Sequence, residues 1–225
     1  MTFTEQLFQR VEPIWESYLG HPFIKGLSDG TLDEEKFKHW LKQDYVYLIE
    51  YARLFSIGAA KSTDLNMMMT FADLANGTLH TEMDLHRGYA KQFYISEEEL
   101  EQTEPAQTTV AYTSYMLNKA QQGGIENVIA AVLTCTWSYN YIGLKLAEAE
   151  RHTHHALYDE WIQMYASEEF TEFKDMCIEL MDSVTEGKSE EELKRLEDIV
   201  VKTSYYEYMF WDMAENIETW TTPIK

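Results

Sequence analysis

Four prolines and ten glycines are spread over 225 residues, so the chain contains long stretches with nothing to break a helix. Within them, apolar residues recur three and four positions apart rather than at every second position, the period of a helix face and not of a strand. Thr2 to Tyr18 repeats Leu7, Val11, Ile14, Trp15 and Tyr18 in this way, with Pro13 marking a point where that helix could kink. GHPFIKGLSDGT reads as a connection, after which Asp33 can start a helix over EEKFKHWLKQDYVYLIEYARLFSIGAA to about Lys61. One helix is expected over Leu65 to Phe93, and a short one from Ser96, where SEEE is a capping-box pattern. Another is expected over about Thr108 to Gln122, stopped by Gly123 and Gly124, followed by a long apolar one over Ile125 to Ala149 that the polar RHTHH breaks. His155 to Tyr165, Glu168 to Thr185, and Ser189 to about Ile217 complete the series, the last opened by a second SEEE.

The expected fold class is therefore all-α, eight or so helices in a compact globular bundle. The length suffices for one sizeable core, and with no internal repeat, low-complexity segment or long linker, a single domain over residues 1–225 is expected. Eighteen basic against thirty-nine acidic side chains give a net charge of −21, which repels phosphate backbones and anionic lipid. The densest basic stretch, Lys36, Lys38, His39 and Lys42, sits beside Asp33, Glu34, Glu35 and Asp44. Nucleic acid is not an expected partner. MTFTEQLFQRVEPIW lacks the features of a signal peptide, and no run approaches the length of a membrane span, so a cytoplasmic location without membrane contact is expected. Cys135 and Cys177 form neither a disulfide framework nor a metal-ligand spacing, and both thiols are expected to be reduced.

Three places hold candidate chemistry. In LTCTWSYNYIG, helical spacing puts Val132, Cys135, Tyr139 and Ile142 on one face; taken alone, the segment favours a cysteine packed as a small hydrophobe. Asp44, Tyr47 and Tyr51 share a face within an apolar run, where a carboxylate is costly unless partnered, or else lies exposed at the edge of the stripe. In TSYYEYMFWDMAEN, Glu207 stands among Tyr205, Tyr206, Tyr208, Phe210 and Trp211. Such surroundings favour a protonated acid, although a solvated residue between two buried ones fits the same letters. Tyr112 and Tyr115 make a further aromatic cluster whose default is core packing. Fifteen tyrosines exceed what a helical core asks for and suit a cavity that stacks a flat ring. HTEMDLH pairs His80 with Asp84 and Glu82 with His86 four apart, but no matching set on another helix supports a dinuclear metal site, so surface or structural hydrogen bonding is the expected role.

Taken in order, HPFIKGLSDGTL, FKHWLKQDYVYL, DLANGTLHTEMDLH, AYTSYM, LTCTWSYNYIG, DEWIQMYAS and SYYEYMFWDMA resemble the TenA family, also called thiaminase II, over almost the full chain. The resemblance implies a heme-oxygenase-like helical bundle, no cofactor or metal, and a homotetramer. It also implies hydrolysis of 4-amino-5-aminomethyl-2-methylpyrimidine to the 5-hydroxymethyl compound plus ammonia, and cleavage of thiamin at the same methylene. On this reading Cys135 is the nucleophile that adds to the ring, and Glu207 protonates the ring nitrogen. Asp44 holds the 4-amino group, Tyr112 hydrogen-bonds near the sulfur, and Tyr47, Tyr139 and Tyr165 line the pocket. Two competing readings are a non-catalytic pyrimidine-binding or regulatory protein, and a metal or heme enzyme using His80, Glu82 or His86.

Overall fold

A computed structural model describes residues 1–149 and 155–220, and every regular element among them is helical. In chain order these are α1 (Phe3–Leu19), α2 (Pro22–Ser28), α3 (Glu34–Lys61), α4 (Leu65–Gly77), a π-helical turn (Thr78–Glu82), α5 (Met83–Gln92), α6 (Glu97–Glu101), α7 (Gln107–Gln122), α8 (Ile125–Glu148), α9 (Ala156–Tyr165), α10 (Glu168–Thr185) and α11 (Glu190–Glu215). The all-α expectation holds. Residues 151–154, most of RHTHH, lie outside the described residues.

Two local expectations are corrected. GHPFIKGLSDGT is not only a connection, because it contains α2: the His21 side chain accepts from the Phe23 N–H, and Pro22 occupies the first turn. Proline is a breaker inside a helix but a starter at its first position, where its missing N–H is no loss. The Leu65 to Phe93 pattern is not one α-helix either. Its buried residues step from Phe71 to Ala75 to Thr78 and then five places to Met83, with Ala90 and Phe93 following. The π turn absorbs that five-residue step and keeps both flanking segments facing inward. Both SEEE boxes form as read, with Ser96 and Glu99, and Ser189 and Glu192, exchanging side-chain and backbone hydrogen bonds.

Packing divides the chain into two compact units. The first comprises Met1–Asp33 and Ile129–Tyr208, hence α1, α2, α9, α10 and the larger parts of α8 and α11. Trp15, Tyr18, Phe23, Tyr158 and Trp161 are fully buried in it. Asp182 ties α10 to the start of α1 by accepting from the Thr4 N–H at 2.9 Å and the Thr4 hydroxyl at 2.8 Å. The second comprises Glu34–Val128 and the segment from Met209, hence α3 to α7. Its core includes Phe37, Trp40, Phe55, Phe71 and Tyr112. Lys36, Lys38 and Lys42 all face carboxylates, those of Glu215, Glu35 and Glu99, so the basic stretch forms no cationic patch.

Candidate active site

In the first unit, α8 uses successive residues of CTWSYNYIG on different faces. Trp137 stacks on Phe8 with ring centroids 5.7 Å apart and meets Trp15 edge-on at 5.4 Å, which fixes that side of α8 against α1. Thr134 pairs with Thr203 at 2.6 Å, hydroxyl to hydroxyl, which fixes another side against α11. The Asn140 amide donates to the Tyr165 carbonyl at 2.9 Å and to the Thr171 hydroxyl at 3.0 Å. Nearly two turns of α8, from Thr134 to Asn140, are thereby locked in rotation, and the face carrying Cys135 and Tyr139 is determined. Val132, Tyr139 and Ile142 on that face are buried, whereas Cys135 keeps partial exposure. A cysteine serving only as core filler would be as closed as its neighbours. Cys177 is such a residue, with burial pushing its thiol up to about 12.

Tyr139 reaches the end of α9, where its ring lies 4.8 Å from that of Tyr165 and 6.0 Å from Trp161. The approach depends on Gly143, because a Cβ there would come within 2.7 Å of the Tyr165 carbonyl carbon. On α11, Glu207 shares a face with Thr203 and Ser204, and all three are buried. The Trp15 indole donates to the Ser204 hydroxyl at 3.0 Å, and the Tyr18 hydroxyl donates to the Ser204 carbonyl. Burial first, and the Glu207 charge next, push the Tyr18 phenol well above its ordinary 10. Glu207 therefore has a phenol from α1 as an electrostatic neighbour, while Tyr205, two positions before it, is exposed. In the sequence Tyr18 belongs to an apolar stripe; its pairing with Glu207 leaves no trace in spacing, since 189 positions separate them in the chain.

In the second unit, Gln43 clamps α3 to α7. Its amide donates to the Glu104 carbonyl at 3.0 Å, and its oxygen accepts from the Ala106 N–H at 2.9 Å and the Thr109 hydroxyl at 2.7 Å. One turn further along each helix, Tyr47 and Tyr112 meet with centroids 5.3 Å apart. Tyr47 also stacks on Tyr51 at 5.5 Å and directs its hydroxyl to the Met116 sulfur at 3.6 Å. Asp44 is buried at 5% exposure, not at the edge of the stripe, and His86 on α5 approaches its Oδ2 to 3.3 Å. His86 is a member of this cluster that spacing alone left as a surface or structural histidine. Its partner on α3 is 42 positions away. His80 and Asp84 are exposed, the latter paired with Arg87 at 2.8 Å. No group of three or more metal-capable side chains forms among the described residues.

Among the described residues, Asp44 at 5% and Glu207 at 1% are the least exposed acidic residues, while half-buried Glu82 in the π turn has its carboxyl raised by desolvation. Burying a carboxylate is expensive enough that a chain this acidic could place every one of them in water. The two least exposed are the two acids to which the resemblance assigns roles. Within its own unit, Glu207 has the Tyr18 phenol as an electrostatic neighbour and Asp44 has the His86 imidazole.

The fold is the one seen in a domain of unknown function with a heme oxygenase-like fold from Shewanella denitrificans. It superimposes with a TM-score of 0.76 over 95% of this chain and 92% of that one at 15% identity. The structure of a TenA homologue from P. horikoshii agrees more closely, with a TM-score of 0.90 over 96% and 99% of the two chains at 29% identity. Residues 8–216 match the TENA/THI-4/PQQC family. An aminopyrimidine aminohydrolase from Halalkalibacterium halodurans is 51% identical over 98% of both chains. The chain belongs to the TENA/THI-4/PQQC family.

Proposed function

We propose that the protein is an aminopyrimidine aminohydrolase of thiamin salvage, in which Cys135 and Glu207 carry the chemistry. The enzyme converts 4-amino-5-aminomethyl-2-methylpyrimidine and water into the 5-hydroxymethyl pyrimidine and ammonia, and it cleaves thiamin at the same methylene to hydroxymethylpyrimidine and the thiazole. The observation that carries the reading is the coincidence of two independent selections. Close similarity to an aminopyrimidine aminohydrolase covers nearly the whole chain, and the acids that the family's roles call for are the least exposed ones.

A ring nitrogen protonated by Glu207 makes the pyrimidine electron-poor. The Cys135 thiolate then forms a C–S bond to a ring carbon, and the displaced electron pair is held at the protonated nitrogen. Return of that pair expels the amine from the exocyclic methylene, the amine leaving with a proton as ammonia. Water adds to the methylene and gives up a proton through Glu207. Cleavage of the C–S bond restores the aromatic ring and the thiolate. Asp44 accepts from the 4-amino group, Tyr112 hydrogen-bonds near the sulfur, and Tyr47, Tyr139 and Tyr165 offer ring faces and hydroxyls to the heterocycle.

The chain works as one domain in the cytoplasm and as a homotetramer. The single-domain reading is supported by a family match running from residue 8 to 216. Among the described residues no helix is long and apolar enough to cross a membrane. Self-association is supported by exposed Leu65, Met68 and Met69 on α4, and light scattering measures it directly. The test of the chemistry follows hydroxymethylpyrimidine release by wild type, Cys135→Ser and Glu207→Gln from both substrates. Near-complete loss in Cys135→Ser is expected, because serine is a far weaker nucleophile near neutral pH. Retained turnover in that variant refutes the nucleophile, and a wild type that binds the pyrimidine without turnover favours the regulatory reading instead.

A further inference from the structure

A buried carboxylate is tolerated where donors hold it. For Asp44 the donor visible on a second helix is His86. Its Nε2 lies 3.3 Å from Asp44 Oδ2 and 3.2 Å from the Leu41 carbonyl oxygen. The Leu41 carbonyl can only accept, so Nε2 is the nitrogen that carries the proton, hydrogen-bonded to that carbonyl and within 3.3 Å of the Asp44 carboxyl. The Leu41 carbonyl belongs to the α3 backbone one turn before Asp44 and cannot swing. An imidazole docked on it presents its N–H to the carboxylate in one orientation.

Three features keep the ring there. Trp40 and Tyr45 flank it, with centroids 6.1 Å and 6.4 Å away. Burial holds the imidazole down to about 4, the Leu41 carbonyl opposing the fall, so that the ring is neutral at ordinary pH. The third feature is the π turn Thr78–Glu82, one turn upstream. An inserted residue rotates everything after it by about 100° around the helix axis. A regular α-helix through that point would carry position 86 off the face that meets α3. Single π turns of this kind are enriched at functional sites.

We propose that His86 is a positioning residue for Asp44: its Nε2–H, anchored on the Leu41 carbonyl, fixes the carboxylate in the orientation that receives the 4-amino group of the aminopyrimidine. This rests on the substrate-binding role given to Asp44 above. His86 does not touch the substrate, and its contribution is to binding more than to the covalent steps.

The test compares His86→Phe, which keeps a ring between Trp40 and Tyr45 but removes the donor, with His86→Gln, whose amide N–H can take the place of Nε2–H. Both are measured by steady-state hydrolysis of the aminomethylpyrimidine and by calorimetric binding of hydroxymethylpyrimidine, with circular dichroism reporting folding. Loss of a hydrogen bond to the buried carboxyl predicts that His86→Phe weakens product binding and raises KM by about tenfold or more, with a smaller fall in kcat. His86→Gln should recover most of that loss. Adding His86→Gln or His86→Phe to Asp44→Ala should cause no further loss, since the residue acts only through Asp44. Wild-type KM in a folded His86→Phe overturns the proposal. So does a His86→Gln variant as impaired as His86→Phe, or additive losses in the Asp44→Ala background; the His86→Gln arms decide the matter if His86→Phe does not fold. An inactive, non-binding wild type is distinguishable from all of these, because it removes the functional reading itself and the inference with it.

Discussion

Gly143→Ala sets two forces of opposite sign against each other. Gly143 lies inside α8, where exchanging glycine for alanine gains about 1 kcal/mol of helix stability if nothing opposes it. A Cβ at this position, however, would lie 2.7 Å from the Tyr165 carbonyl carbon, 2.8 Å from the Ala166 nitrogen and 2.8 Å from the Tyr165 Cβ. Carbon atoms in contact prefer roughly 3.5–4.0 Å, so the end of α9 must retreat by most of an ångström. Backbone atoms are among those in the way, and no rotamer change relieves them. Overpacking of this kind costs about 1–3 kcal/mol. The retreat also strains the Asn140 bond to the Tyr165 carbonyl, 2.9 Å long, worth about 1 kcal/mol. The balance is a net loss of about 1–3 kcal/mol, which for a chain of this size lowers Tm by about 3–10 °C. Gly88→Ala is the matched control, since it sits within α5 and a Cβ there meets nothing within 4 Å; it should raise stability by about 0.5–1 kcal/mol. Scanning calorimetry and urea unfolding of the three proteins measure both effects. A Gly143→Ala protein that melts at or above wild type refutes the close approach and the placement of Tyr165 that depends on it.

Tyr94 occupies the left-handed region at φ 61° just past α5, with the Ile95 N–H closing back on the Ala90 carbonyl, and its side chain is almost wholly exposed. Tyr94→Gly should therefore stabilise by about 1 kcal/mol in urea unfolding, and unchanged stability would count against that backbone. The native protein should react with a thiol reagent at Cys135 at least about ten times faster than at Cys177, which is buried and held near 12, and modification of Cys177 should track unfolding; equal rates contradict the difference in exposure. His86 is held down to about 4 from its ordinary 6.5, so the unfolded chain binds more protons across that interval and stability rises with pH through it. Relative to His86→Gln, wild type should lose about 3 kcal/mol of unfolding free energy as pH falls from 6.5 to 4, and a difference that does not vary with pH would show the ring already charged.

The helices were legible because their signals are local. Apolar spacing, two SEEE boxes and the paired glycines after Gln122 act within one turn of where they stand, and the observed bounds of α3, α7, α8 and α10 follow them closely. The two errors of fold arise where one letter serves opposite uses. Pro22 starts a helix because it comes first in it, and position in a helix is what a list of breakers omits. The π turn is hidden by averaging: apolar residues before and after Thr78 each keep helical spacing, and only the five-residue step between Thr78 and Met83 betrays the extra residue.

The candidate site divides along the same line. Cys135, Asp44 and Glu207 stood out by type and company, but their burial did not, because whether a carboxylate on a stripe's edge faces inward depends on what covers it. For Glu207 the cover is α1, through Trp15 and Tyr18 bonded to Ser204 on the same face of α11. For Asp44 it is α5, through His86. The neighbours that make each buried acid affordable come from distant segments and look like ordinary members of other patterns: an apolar stripe for Tyr18, a polar helix for His86. Long-range pairing of a buried charge is decided by the free energy of desolvation, which no spacing rule contains. A sequence can therefore advertise the acid and conceal the residue that aims it.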